Sequence, residues 1–355
     1  MIAAQEPIQR PRDAKLLVVN GDGAIAHAPR SALPSFVQRG DIIVANDAAT
    51  LPASLFGTHE PTGEAVEIRL AGWGAHRLGD PTRFVAVVFG SGDYRTRTEN
   101  RPPPPDLVIG DRLMLGPLRA TIVDVQSSRL VTLHFAGTPE SIWAGLAQHG
   151  RPIQYAHMSA PLALWDVWTP FAGAPAAFEP PSAGFTLDWQ MQCALRARGA
   201  DIATLTHAAG ISASGDDALD ARLPLPELYA IPARTVAAIG KARGRVIAVG
   251  TSVVRALEHA ALRGELRAGP GVADQRIDAT TRLRVIDVLL TGTHESGTSH
   301  FDLLRAFASD SVLAKATATL DREGYRTHEF GDSMLVTKQA QRARIEPRVE
   351  AEITV

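Results

Sequence analysis

The sequence contains a single cysteine, and this scarcity excludes several classes of protein. Cys193 has no partner in the chain for a disulfide, and one thiol can build neither a cysteine-based zinc ribbon nor an iron–sulfur centre. We expect it to be a core residue of a helix at 187–198. The N-terminal part also lacks a long apolar run. Its first apolar run, residues 16–19, is far too short for a signal peptide or for a membrane span of about 20 residues. The expected location is therefore the cytoplasm, with no membrane partner.

An excess of one charge is also missing. The chain of 355 residues has 36 lysines and arginines against 38 aspartates and glutamates. This balance argues against a surface coated for nucleic-acid binding, although it is compatible with a local basic patch. The glycine-rich dinucleotide fingerprint, the P-loop, the serine nucleophile elbow and the zinc-binding His-Glu-x-x-His helix are all absent. The length favours two domains, or one large domain with an insertion.

The hydrophobic pattern changes twice along the chain. Residues 63–149 contain short alternating runs separated by Gly, Asp and Pro, with no helix-length period before residues 139–148. Such regularly spaced short strands predict a small barrel or sandwich. Elsewhere apolar runs alternate with helical segments, as in a mostly parallel sheet. We therefore predict an α/β fold: a mostly parallel sheet domain built from residues 1–62 and 150–338, an inserted small antiparallel β-barrel at 63–149, and a charged tail at 339–355.

Polar residues follow four predicted strands of the sheet. Ligands of open α/β sheets bind beyond the carboxyl ends of the strands, since the chain turns there into loops and helix N-termini with free N–H groups. The strands at 41–45, 201–206, 245–249 and 283–290 deliver, in turn, Asn46 and Asp47; His207; Gly250, Thr251 and Ser252; and Thr291, Thr293, His294 and Glu295. Their convergence on one crevice would make an enzyme site.

Each of these groups also has a purely structural interpretation. Gly-Thr-Ser at 250–252 is typical of a helix N-cap, and the Asn-Asp pair at 46–47 is ordinary turn chemistry. The two histidines are either neutral, hydrogen-bonded rings or acid–base groups that titrate near neutral pH. The agreement of four topological positions favours a functional site over these alternatives.

Two charged groupings are interpreted as non-catalytic. Arg255 and Glu258 lie one helical turn apart, and we expect an ordinary surface ion pair. His294, Glu295 and His300 form a possible metal trio, but they lack the i,i+4 spacing of a metal-binding helix. We therefore expect no bound metal.

Segments spread along the chain match a known family. In chain order they are Arg12-Asp13 with Leu16-Leu17-Val18, Gly40-Asp41 to Asn46-Asp47, Pro52 to Gly57, Pro181 to Gly184, His207, Glu227 with Tyr229 to Pro232, Gly244 to Thr251 with Arg255 and Glu258, Asp287 to Thr291, His294 with Thr298-Ser299, and Gly331 to Met334. Over residues 11–336 the chain thus resembles the S-adenosylmethionine:tRNA ribosyltransferase-isomerase family of the queuosine pathway. The resemblance implies an α/β domain that carries an inserted small β-barrel.

Some site positions depart from the usual family pattern. Thr186 and Leu225 stand where the family has histidines, and the family's Thr-Asn-Phe-His reads Thr-Gly-Thr-His at residues 291–294. A shared fold does not by itself fix a shared function. Two alternatives to the family reaction are therefore open: a diverged S-adenosylmethionine-dependent enzyme with an acceptor other than tRNA, and a non-catalytic protein that binds S-adenosylmethionine.

The resemblance implies a reaction on tRNA. Family members transfer and isomerise the ribosyl group of S-adenosylmethionine onto the aminomethyl group of a 7-deazaguanine at the wobble position, which gives epoxyqueuosine and releases adenine and methionine. This chemistry needs a base beside the sulfonium, a group that helps adenine to leave, and a polar cradle for the methionine end. On this basis His207 or His294 is the acid–base group. The residues implied in binding S-adenosylmethionine are Asn46, Asp47, Gly250, Thr251, Ser252, Arg255 and Thr291.

The expected partners are S-adenosylmethionine, as co-substrate, and tRNA, and we expect a monomer. A proline-rich loop at 90–106 carries Arg95, Arg97 and Arg101. These arginines either contact RNA phosphates or belong to an exposed, solvated loop, and the second interpretation is favoured.

Overall fold

A closed antiparallel barrel is the first of the two large units in the computed structural model, which describes residues 1–75 and 77–339. Its strands, in order around the barrel, are Leu118–Val125, Leu130–Phe135, Arg83–Phe89, Ala65–Trp73, Ser54–His59 and Arg112–Leu115. Alternate side chains such as Ile68, Leu70 and Phe84 fill its interior and have no exposed surface. The predicted inserted barrel is confirmed.

The barrel begins earlier than the sequence pattern indicated. Its strand Ser54–His59 precedes residue 63, where the pattern placed the start of the insertion. Gly57 interrupts this strand in the sequence and resembles a turn signal. In the structure it lets two strands approach closely, since a Cβ atom there would lie 1.9 Å from the carbonyl oxygen of Met114. Close packing of the two strands, rather than a turn, therefore requires a glycine at this position.

The second unit is a nine-stranded mixed sheet. In spatial order its strands are Gly269–Ala273, Glu227–Ile231, Asp201–His207, Ile42–Asn46, Val246–Val249, Val288–Gly292, Ser333–Thr337, Lys15–Val19 and Ile25–Pro29. The four from Asp201–His207 to Val288–Gly292 run parallel to one another. Antiparallel pairs flank them on both sides, including Val288–Gly292 with Ser333–Thr337. The predicted α/β class is confirmed, with the parallel pairing concentrated at the centre of the sheet.

Helices cover the sheet and connect it to the barrel. The α-helices are Pro139–His149, Leu164–Val167, Trp189–Ala197, Asp217–Asp220, Ala233–Lys241, Thr251–Ala260, Ser299–Leu304 and Asp310–Arg322, and the 3₁₀ segments are Arg30–Phe36, Thr98–Asn100 and Ser182–Thr186. Two short parallel pairs join Ile2–Ala3 to Arg326–Thr327 and Ala48–Thr50 to Ala174–Ala177. The central strand Ile42–Asn46 is buried along its whole length, as expected for a parallel strand covered on both faces.

The helix Trp189–Ala197 is confirmed, but Cys193 is exposed on it rather than buried in the core. Leu195 is the residue that this helix buries, with Met191 one turn earlier on the same side. Cys193 lies two positions from both and therefore points away from the sheet.

At the end of the described chain, the backbone N–H of Gln339 donates to the carbonyl oxygen of Phe307. The rest of the predicted tail, residues 340–355, lies outside the described residues. None of the described helices is both long and apolar enough to cross a membrane.

Candidate active site

Asn46 joins three of the predicted strand ends at the carboxyl edge of the sheet. Its amide nitrogen donates to the carbonyl oxygen of His207 at 2.9 Å and to Ser252 Oγ at 3.3 Å, and its Oδ1 accepts the backbone N–H groups of His207 and Ala48, each at 3.0 Å. The neighbouring Asp47 accepts a hydrogen bond from the Thr206 hydroxyl at 2.6 Å. The hydrogen bonds of the Asn46 amide therefore connect the strand ends that surround the crevice.

Gly250 begins the helix Thr251–Ala260 at this edge. Its φ of 93° lies in the region that favours glycine, and its N–H donates to the carbonyl oxygen of Leu290 at 2.8 Å. Gly250 is the N-cap, as the N-cap interpretation of residues 250–252 expected, but no side chain of the described residues donates or accepts a capping hydrogen bond there. The first N–H groups of the helix are left available to a ligand with negative charge.

His207 lies in the wall of the crevice and has no exposed surface. Its Nε2 lies 3.4 Å from Glu227 Oε2, yet neither ring nitrogen makes a hydrogen bond within the described part of the chain. Burial holds the pKa of His207 well below its usual range, and the nearby Arg255 guanidinium lowers it further. The ring is therefore neutral at physiological pH, and a substrate in the crevice does not meet it without movement of the wall.

Arg255 and Glu258 do not form the predicted surface ion pair, because both are buried. Arg255 pairs with Glu227 and donates to the carbonyl oxygen of Ala273 at 2.8 Å. The Glu258 carboxylate instead accepts the backbone N–H groups of residues 284–286 at 2.7–3.0 Å. Their helix packs on the sheet, and the two charges serve opposite ends of it: Arg255 binds beside the crevice, whereas Glu258 binds the segment that precedes the strand Val288–Gly292.

His294 enters the crevice from the strand Val288–Gly292. The Thr291 hydroxyl is hydrogen-bonded to His294 Nε2 at 2.7 Å, and the rings of His294 and His300 stack with centroids 5.0 Å apart. Burial holds the pKa of His294 well below its usual range, and His300 and His328 lower it further. Glu295 is exposed, so only the two histidines of the suggested metal trio are brought together by their side chains.

A second group of histidines lies beside this pair and was missed from the sequence. His157 Nε2 contacts Glu329 Oε2 at 3.1 Å, and the rings of His157 and His328 stack at 4.0 Å with planes 10° apart. His328 and Glu329 precede the strand Ser333–Thr337, which is antiparallel to its neighbour Val288–Gly292. The amino end of an antiparallel strand reaches the same edge as the carboxyl end of its neighbour, so residues that precede such a strand also lie at the crevice.

Glu179 adds a carboxyl group close to Glu329. It accepts hydrogen bonds from the Tyr155 hydroxyl and from the backbone N–H of Ser212, the latter at 3.0 Å. Burial raises the pKa of Glu179 to about 7, the Tyr155 hydrogen bond opposes the shift, and the charge of Glu329 adds to it. A carboxyl group with this pKa is suited to general acid–base chemistry, because both protonation states are populated near neutral pH.

His157, His328 and Glu329 have donor atoms within 4.8 Å of one another, which is close enough to share a metal ion. A nitrogen lone pair lies in the plane of its imidazole ring, and two stacked, nearly parallel planes do not direct their lone pairs to a common point. In this arrangement the three side chains form an imidazole stack beside a carboxylate.

The arginines of the proline-rich loop separate into two kinds. Arg101 is buried, where it pairs with Glu67 and donates to the carbonyl oxygens of Gly90 and Gly92. Its guanidinium is therefore accessible neither to RNA nor to solvent, so for Arg101 both predictions, a phosphate contact and a place in an exposed loop, were wrong. Arg95 and Arg97 are exposed beside acidic neighbours.

Comparison with known proteins identifies clear relatives over nearly the whole chain. A family described as "Queuosine biosynthesis protein" matches residues 1–336. The S-adenosylmethionine:tRNA ribosyltransferase-isomerase of Azoarcus sp. (strain BH72) is 34% identical over 95% of this chain and 94% of its own, and that of Sorangium cellulosum (strain So ce56) is 32% identical over 95% of each. A crystal structure of S-adenosylmethionine tRNA ribosyltransferase from Thermotoga maritima, 22% identical, shares the fold with a TM-score of 0.50 over 94% of this chain and 96% of that one.

Proposed function

Because the chain belongs to the queuosine biosynthesis protein family, we propose that it is an S-adenosylmethionine:tRNA ribosyltransferase-isomerase, the activity for which its curated relatives are named. S-adenosylmethionine is the co-substrate. Its ribosyl group is transferred to 7-aminomethyl-7-deazaguanine in tRNA and gives epoxyqueuosine, with release of adenine and methionine. A tRNA substrate places the reaction in the cytoplasm, and one chain supplies every strand end around the crevice, as a monomer requires.

The convergence of strand ends on one crevice is the observation that carries this proposal. Asn46 connects the ends of three strands, and the N-terminus of the helix Thr251–Ala260, which begins at the N-cap Gly250, lies beside them. Free N–H groups at a helix N-terminus favour a carboxylate, such as that of the methionine end. We assign Gly250, Thr251 and Ser252 to this cradle.

We assign proton transfer to His294. It lies at the end of the strand Val288–Gly292, and Thr291 fixes the orientation of its ring. Burial keeps the ring neutral and able to accept a proton, and a substrate that ionises the ring must also stabilise the charge that forms. His207 has no exposed atom, so we assign it and Arg255 to the wall beside Glu227 rather than to contact with the substrate. Asp47 lies next to Asn46 at the floor of the crevice, where its carboxylate also holds Thr206.

An assay of adenine release tests the proposal. The full-length protein is incubated with S-adenosylmethionine and with tRNA that carries 7-aminomethyl-7-deazaguanine, and adenine and the modified nucleoside are quantified by liquid chromatography and mass spectrometry. We expect adenine release that depends on this tRNA and matches the epoxyqueuosine formed.

Two outcomes would overturn the proposal, and each supports one alternative. Adenine release that is independent of tRNA would indicate a diverged enzyme with another acceptor. Binding of S-adenosylmethionine in calorimetry without any adenine release would indicate a non-catalytic binding protein.

A further inference from the structure

The stacked rings of His157 and His328 form a flat surface at the mouth of the crevice. Their centroids are 4.0 Å apart, and their planes differ by 10°. The His157 side chain is only 11% exposed, whereas His328 is an exposed residue. One face of the His328 ring is covered by His157, so its exposure comes from the edges and from the opposite face. The stack thus has one open end.

The backbone holds His328 in an unusual conformation. Its φ of 67° is the one positive φ outside glycine in residues 1–75 and 77–339. Histidine, like asparagine, tolerates this region better than most residues. Burial lowers the pKa of His328, and the neighbouring His157 lowers it further. The ring is therefore neutral near pH 7 and can lie on His157 without repulsion between like charges.

A carboxylate lies at the covered end of the stack. Glu329 follows His328 in the chain and contacts His157. Burial would raise the pKa of Glu329, but the hydrogen bond and the charge of His157 outweigh this effect and lower it. Glu329 is therefore ionised and accepts the N–H of His157, which holds that ring in place against the covered face of His328.

We infer that His328 is a stacking platform for a purine-type base, with His157 and Glu329 holding its ring in position from the covered side. The faces of aromatic and imidazole rings bind nucleobases by stacking, and hydrogen bonds to the edge of a base determine which base is bound. The inference rests on the proposed function, which supplies two such bases: the adenine of S-adenosylmethionine and the 7-deazaguanine of the tRNA.

Calorimetry with two nucleosides tests the inference and separates the two sources. Adenosine and 7-deazaguanosine are titrated into the full-length wild-type protein and into three variants. His328→Asn keeps a residue that tolerates positive φ but removes the ring, and His328→Phe restores a flat ring. His134→Ala, at an exposed histidine of the barrel strand Leu130–Phe135, is the matched control.

We expect His328→Asn to weaken the binding of one nucleoside by about 5- to 150-fold, the range that corresponds to loss of one stacked base. His328→Phe should recover most of this affinity, and His134→Ala should bind as the wild type does. The nucleoside whose affinity falls identifies the source of the base. Three outcomes would overturn the inference. His328→Asn could bind both nucleosides as tightly as the wild type does, or His328→Phe could melt like the wild type and still fail to recover binding. The third is that the wild type binds neither nucleoside.

These outcomes are independent of turnover. Binding that depends on His328 in a protein that releases no adenine would refute the proposed function and leave the platform in place. Normal ribosyl transfer in His328→Asn, with unchanged nucleoside affinity, would refute the platform alone.

Discussion

Replacing Glu227 by glutamine removes the charge that opposes a buried guanidinium. Arg255 is 4% exposed and Glu227 9%, and the two are paired in the wall of the crevice. The variant keeps the shape of the side chain but leaves the Arg255 charge desolvated. Loss of one partner from a buried pair costs about 3–5 kcal/mol in the free energy of unfolding. At about 2–4 °C per kcal/mol, we expect the melting temperature to fall by roughly 6–20 °C.

Urea and thermal unfolding, followed by the fluorescence of the five tryptophans, measure this loss. The double variant Glu227→Leu with Arg255→Met removes both charges, so it should cost less than the sum of the two single variants. Arg322→Met, at the exposed pair with Glu323, is the control and should change stability by less than about 0.5 kcal/mol. If Glu227→Gln lies within about 1 kcal/mol of the wild type, the argument from an uncompensated buried charge is refuted.

Three further predictions concern other residues with buried polar groups. Since burial raises the pKa of Glu179 from 4.5 to about 7, the folded protein keeps a proton there that the unfolded chain has lost. The free energy of unfolding of the wild type relative to Glu179→Gln should therefore fall as pH rises from 4.5 to 7, by at most roughly 3 kcal/mol. A difference that does not vary with pH would contradict the raised pKa. His294→Ala should lower the rate of adenine release by about 10²–10⁴-fold, and a wild-type rate would remove His294 from proton transfer. Glu258→Gln turns an amide group toward backbone N–H donors and should cost about 1.5–3 kcal/mol in urea unfolding; unchanged stability would show that these hydrogen bonds are dispensable.

The strand ends could be located from the sequence because strand patterns and turn residues are local signals and because neighbouring parallel strands end at the same edge of a sheet. Asn46, His207, Ser252 and Thr291 each follow a segment with the pattern of a strand, and the structure places all four at one edge. The argument could not assign their roles. Whether His207 reaches a substrate depends on the residues packed around it, and these come from distant parts of the chain.

The histidine cluster shows where the same argument failed. His157 lies in a connecting segment, and His328 and Glu329 lie before a strand rather than after one. Their place in the crevice depends on the antiparallel pairing of Ser333–Thr337 with its neighbour. Pairing of strands remote in sequence is a global property, so no local pattern predicts it.

By itself, the sequence determined the fold class and the four strand ends that line the crevice, because apolar periodicity and turn residues act over a few neighbouring positions. Only the tertiary structure decided which charges are buried. Arg255 and Glu258 lie one turn apart and have the pattern of a surface pair, yet each is desolvated and bound to a different part of the chain. Burial and partner choice are set by what packs on a residue from elsewhere, and they fix its pKa and its chemistry.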